Sequence, residues 1–133
     1  MNKGLIGVII ILIVLIGGFF LFRGNSTGSV ISENYDENVV AFNLTSSHFR
    51  FFLNGVESPE LRVKEGTKVK IILNNEEGFH DWKIDEFNAA TEKVSAGATT
   101  TVEFVADKKG TFEYYCSVGQ HRANGMKGTF VVE

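Results

Sequence analysis

Cys116 is the only cysteine in this chain of 133 residues, and Met126 is its only methionine besides Met1. His121 stands between them with four residues on either side, in the stretch YYCSVGQHRANGMKG. A second histidine, His80, follows NNEEGF and opens an expected strand, which puts it at a strand end rather than mid-sheet. Two imidazoles and a thiolate in a plane, with a weak thioether on the axis, make a type 1 copper site. The thiolate and imidazoles hold Cu(I) and still suit Cu(II), so electron transfer needs little rearrangement. A thiol occupied by copper and buried is also protected from oxidation.

Each residue alone has a plainer reading. Cys116 would be a small buried hydrophobe, Met126 core filler, and a single histidine a satisfied surface or core side chain. Together these readings must place the only cysteine, the only internal methionine and two of three histidines at ligand positions by accident. Zinc is the rival metal, but it prefers four firm ligands, and methionine is a poor one. A binuclear copper centre would need a second cysteine in the loop. The third histidine, His48, lies far off in the pattern and reads as a surface residue.

The elements that must carry this set are strands. Candidates cover 39–44, 48–54, 60–66, 68–75, 80–87, 99–106, 111–117 and 127–133. Val69, Ile71 and Leu73 alternate with Lys68 and Lys70, and Phe112 and Tyr114 with Thr111 and Glu113. Breakers at 54–59, 65–66, 95–98 and 107–110 separate the runs. Such spacing predicts an all-β sandwich or barrel, with twelve phenylalanines supplying core volume. Only EFNAATEK (86–93) has room for a helical turn. Asn124-Gly125 supplies positive-φ residues to turn the chain just before Met126.

The chain is long enough for one domain and little else. Residues 4–22 form nineteen consecutive uncharged positions, about 28 Å of helix against a bilayer core of roughly 30 Å. The run is longer than a signal-peptide core and ends in GGFFLFRG, without a small-residue cleavage pattern. The expected organisation is a transmembrane anchor over 1–23, a polar tether over 24–38 and a folded domain over 39–133. The short amino-terminal tail favours leaving the amino end in the cytoplasm, so the folded domain is expected on the extracytoplasmic side of the cell membrane. Residues 24–133 carry sixteen acidic and eleven basic side chains, net −5, with no basic stripe, which argues against nucleic-acid binding.

With GFHDWKIDEF, DKKGTFEYYCSVGQHRANGMKGTFVVE and the strands before them, residues 39–133 resemble the cupredoxins, specifically the plastocyanin/azurin-like small blue copper proteins. The resemblance implies a Greek-key β-sandwich holding one copper ion through His80, Cys116, His121 and Met126. It implies electron shuttling between redox-protein partners. With all four ligand positions assigned and none open to a substrate, the domain is expected to be a monomeric carrier of single electrons rather than an enzyme. Asp81 stands where many members have an asparagine that bridges toward the cysteine loop, and Gln120 where a proline is frequent. Members usually expose an edge of the second histidine in an apolar patch as the electron port. Arg122 and Lys127 would make that port mildly basic, and Glu76, Glu77, Asp85 and Glu86 could steer a basic partner. The competing functions are copper capture or delivery, and electron entry within a larger oxidase or reductase complex.

Overall fold

The computed structural model describes residues 39–133; the expected anchor and tether lie outside them. Among the described residues twelve strands are formed: β1 (Val39–Ser47), β2 (Arg50–Leu53), β3 (Val56–Glu57), β4 (Leu61–Val63), β5 (Lys68–Asn75), β6 (Phe79–His80), β7 (Lys83–Ile84), β8 (Ala89–Ala90), β9 (Val94–Ser95), β10 (Thr99–Val105), β11 (Gly110–Tyr115) and β12 (Lys127–Val132). One sheet runs β10-β5-β1-β2-β3 and the other β4-β12-β11-β7-β8, while β6 and β9 pair as a short ribbon. β1 runs parallel to β5, and β4 parallel to β12, so both pairs need crossovers rather than hairpins. The architecture is the expected all-β Greek-key sandwich.

The alternation in KVKIILNN shows how the sequence builds a layer. Val69, Ile71, Leu73 and Asn75 point inward and are buried, while Lys68 and Lys70 point outward to Glu103 on β10, at 3.5 and 3.2 Å. Leu44 and Phe51 add to that inner face, and Leu61, Ile84, Tyr114, Phe130 and Val132 face them from the second sheet. Trp82 is fully buried and stacked between Phe104 and Tyr114, with ring centroids 5.9 and 5.6 Å away. Each such side chain contributes about 1.5–3 kcal/mol by leaving water.

Two runs differ from the sequence reading. The 48–54 strand begins at Arg50, because His48 and Phe49 form the two-residue turn that precedes it. The 80–87 run splits into β6 and β7, and EFNAATEK makes no helical turn. Ile84 pairs with Ala89 across an Asp85–Asn88 turn closed by Asn88 N–H to Asp85 C=O at 3.0 Å. Asn88 takes φ 47°, a conformation asparagine tolerates, so a hairpin closes where a helix would have continued.

Gly128 lies opposite Tyr114 in the β11–β12 ladder, and a Cβ there would come within 2.2 Å of the Tyr114 hydroxyl oxygen. The missing side chain lets Tyr114 lie across the strand and donate its hydroxyl to Pro59 C=O at 2.6 Å. Burial pushes the Tyr114 phenol far above its ordinary value.

Candidate metal centre

His80 enters the site from β6 and is only 2% exposed. Asn75, the last inward residue of β5, anchors this corner. Its amide donates to Gly78 C=O at 3.0 Å and Val94 C=O at 2.9 Å, and its oxygen accepts the Ser46 hydroxyl at 2.9 Å. Gly78 takes φ 72°, and a Cβ there would press on His80 Nε2 at 3.0 Å, so this approach requires glycine.

Cys116 follows the end of β11 and is fully buried. The ligand loop then winds as consecutive turns. His121 N–H bonds Val118 C=O, Asn124 N–H bonds Gln120 C=O, and Gly125 N–H bonds Arg122 C=O. Met126 N–H bonds His121 C=O at 2.9 Å, and Cys116 N–H bonds Met126 C=O at 3.0 Å, which closes the loop on itself. Of the Asn124-Gly125 pair only Gly125 has positive φ, at 95°. Gly119, at φ 46°, is the other left-handed residue of the loop, and Asn124 keeps a right-handed conformation, so Gly125 alone turns the chain before Met126.

The three donors converge. His80 Nδ1 and His121 Nδ1 are 3.1 Å apart, and Cys116 Sγ lies 3.8 and 3.5 Å from them. Donors bonded at about 2.0–2.3 Å to one ion sit roughly 3–4 Å from each other, so the spacing fits a metal. Met126 is fully buried in the same cluster as Cys116. Burial, then the neighbouring His121, holds His80 below the usual imidazole value, which leaves its ring neutral and able to ligate. Burial pushes the Cys116 thiol up, while the backbone N–H groups of Asp81 and Val118 favour the thiolate. One soft thiolate, two imidazoles and a thioether form a set that suits copper better than zinc.

Asp81 makes the bridge that asparagine provides elsewhere. Its carboxylate accepts the Ser117 N–H at 2.6 Å and the Ser117 hydroxyl at 2.5 Å, joining the His80 segment to the cysteine loop. His121 differs from His80 in being partly exposed, in a cleft lined by Phe49, Glu77, Phe79 and Val118. Phe49 is 50% and Phe79 46% exposed, so the rim is apolar.

The sequence pattern leads one to expect a mildly basic rim, but neither Arg122 nor Lys127 lines the cleft. Arg122 donates to Glu113 at 2.8 Å and its guanidinium lies 3.8 Å over the Tyr115 ring, while Lys127 meets the other Glu113 oxygen at 3.2 Å. Glu113 draws both cations toward β11. His48 is at the surface as expected, but it is not remote. It begins the β1–β2 turn, accepts no burial, and its backbone N–H bonds Glu77. His48 and Phe49 take φ 49° and 58°, a turn that ordinarily uses Asn-Gly. Holding a phenylalanine there costs about 1–3 kcal/mol. The turn sets the Phe49 ring edge-on to His121 and His80, with centroids 4.8 and 6.0 Å away. Sequence reasoning missed Phe49 and Asn75; the second carried a signal, a polar residue at an inward position of an alternating strand.

Residues 12–132 match the family described as the cupredoxin-like domain, and the chain belongs to it. Auracyanin A, a blue copper protein of Chloroflexus aurantiacus, superposes with a TM-score of 0.60 at 22% identity, over 71% of this chain and 99% of its own. Rusticyanin of Thiobacillus ferrooxidans gives 0.61 at 22% identity, over 72% and 78%. Copper-containing nitrite reductase of Neisseria meningitidis is 33% identical over 84 residues, 55% of this chain. The chain spans about a fifth of that curated relative, 22% of its length.

Proposed function

We propose that this cupredoxin binds one copper ion through His80, Cys116, His121 and Met126 and passes single electrons by cycling between Cu(I) and Cu(II). The observation that carries the reading is the convergence of two imidazole nitrogens and one buried thiol, none separated by more than 4.8 Å. Copper supplies the one-electron couple. The protein fixes the donors, excludes water from His80 and Cys116, and leaves the His121 side reachable through an apolar rim. Four donors leave no open position for a substrate, so the domain acts as a carrier rather than an enzyme. Donor and acceptor are redox proteins that dock over Phe49, Phe79 and Val118. Residues 4–22 anchor it in the cell membrane with the copper domain outside the cytoplasm, acting as a monomer.

The test is a visible absorption spectrum of the purified chain loaded with Cu(II) and then treated with ascorbate. An intense thiolate-to-copper band that bleaches on reduction and returns on oxidation supports the reading, and Cys116→Ser should abolish it. Absence of a band from folded, metal-loaded protein overturns it. Protease treatment of intact cells that leaves residues 24–133 uncut would overturn the placement outside the cytoplasm. The match to part of a nitrite reductase favours one second reading, electron entry into a larger reductase assembly. Co-purification from detergent-solubilised membranes distinguishes that from a free shuttle.

A further inference from the structure

The ligand loop is fastened within itself and to the sheet that carries β11 and β12. Its internal bonds join Cys116, His121 and Met126, and Arg122 reaches Glu113 on β11. One side chain of the opposite sheet also holds it. Arg50, the first residue of β2, donates from Nη1 to Asn124 C=O at 2.9 Å, in the segment between His121 and Met126. The same nitrogen donates to Phe49 C=O at 2.8 Å, and Nε donates to Glu57 on β3 at 3.0 Å. The guanidinium packs over Gly125, where a Cβ would stand 3.3 Å from it. One rigid fork thus ties the ligand loop, the strained His48-Phe49 turn and an edge strand together.

We propose that Arg50 is a positioning residue for the metal centre, clamping the Asn124–Gly125 corner so that His121 and Met126 keep one geometry relative to Cys116. Through Phe49 C=O the same clamp fixes the aromatic ring that packs on both imidazoles. Glu57 balances the charge and aims the fork. The role is independent of which partner docks, and only its spectroscopic test rests on the copper reading above.

The experiment compares Arg50→Met, which keeps the length and loses every donor, with Arg50→Lys, which keeps the charge and loses the fork. Backbone amide exchange is followed in the metal-free chain. Arg50→Met is expected to exchange residues 122–126 roughly tenfold to a hundredfold faster, as loss of charge-assisted bonds to the loop would give. Exchange in β1 and β5 should stay unchanged. Arg50→Lys should remain faster than the unaltered chain, and should carry the test alone if the methionine variant does not fold. In the copper-loaded protein both variants should alter the ratio of the thiolate-to-copper bands and the electron paramagnetic spectrum. Unchanged exchange at 122–126, uniform acceleration through the whole domain, or full restoration by lysine would each overturn the clamp. If the unaltered chain forms no thiolate-to-copper band, the copper reading falls, and the exchange result still decides for or against Arg50.

Discussion

His80 and His121 bring their Nδ1 atoms to 3.1 Å, yet the chain holds them by different means. His80 sits behind a fully bonded Asn75 amide, a glycine it nearly touches, and an Asp81 carboxylate that locks onto Ser117. Trp82, two residues on, is stacked in the core. His121 rides on a loop of turns, partly exposed, and apart from the other donors it is held by the ring of Phe49 and the bonds of its own segment. One ligand is therefore built into the sandwich and the other is delivered to it. The electron-carrier role proposed above would use both: the buried ligand would keep the donor geometry fixed through oxidation and reduction, and the exposed one would give electrons a short path to a partner.

The sharpest way to break this contrast is to remove each ring in turn. His121→Gly should lose the blue band and recover it when free imidazole is added, because imidazole can enter past Phe49 and Val118. His80→Gly should lose the band and recover it much less, because the His80 ring is only 2% exposed and lies beneath the Gly78–Phe79 segment that covers its side of the cleft. Equal rescue of both variants, read by titrating imidazole against absorbance, would mean that the two sites are equally open. Next in size is the support of the rigid side. Asn75→Ala leaves the Gly78 and Val94 carbonyls and the Ser46 hydroxyl without their partner, so it should cost about 2–4 kcal/mol by denaturant unfolding. A loss under about 1 kcal/mol would show that Asn75 is not what holds the His80 corner.

A smaller effect tests how far that rigidity extends into the core. Tyr114 stacks on Trp82 and bonds Pro59 C=O. Its phenol keeps its proton to higher pH when folded than the ordinary value of 10.0, because burial disfavours the anion. Above about pH 10 the unfolded chain releases that proton first, so stability should be fully present below pH 10 and fall as pH rises beyond it. Tyr114→Phe should lower stability by about 1 kcal/mol at neutral pH, through the lost hydrogen bond, and flatten the alkaline decline. The slope that persists belongs in part to Tyr115, whose phenol is also raised, by burial and by its bond to Asp85. An alkaline limb identical in both proteins would place its cause elsewhere.

Much of the centre was legible because its chemistry is rare in the chain. A lone cysteine and a lone internal methionine spaced around His121 leave few other readings, and strand alternation at 68–75 marks which side faces the core. The residues that set the geometry were harder to find. Arg50 and Phe49 lie more than sixty positions before the loop they touch, and no periodicity links a β1–β2 turn to that loop. The turn also breaks its own local preference, since His48-Phe49 stands where Asn-Gly is usual, so the sequence pattern puts both residues at the start of a strand over 48–54 and the turn before them. The basic rim failed for a different reason. Arg122 and Lys127 are near His121 in sequence, but Glu113 on the adjoining strand pulls both aside, and pairing across strands is invisible without register.

That rerouting yields the smallest predicted effect, which sharpens the contrast from the side of the loop. Arg122 is exposed, paired with Glu113 and stacked on Tyr115. Exposed pairs contribute little, so Arg122→Ala should change stability by no more than about 1 kcal/mol and leave the blue band in place. It should also leave amide exchange at Asn124 and Gly125 close to that of the unaltered chain, because the clamp there is Arg50 and not Arg122. If Arg122→Ala instead loosened the loop as much as Arg50→Met, the loop would be held from its own sheet. His121 would then be fixed much as His80 is, by the strands nearest to it, and the difference between the two ligands would shrink to exposure alone.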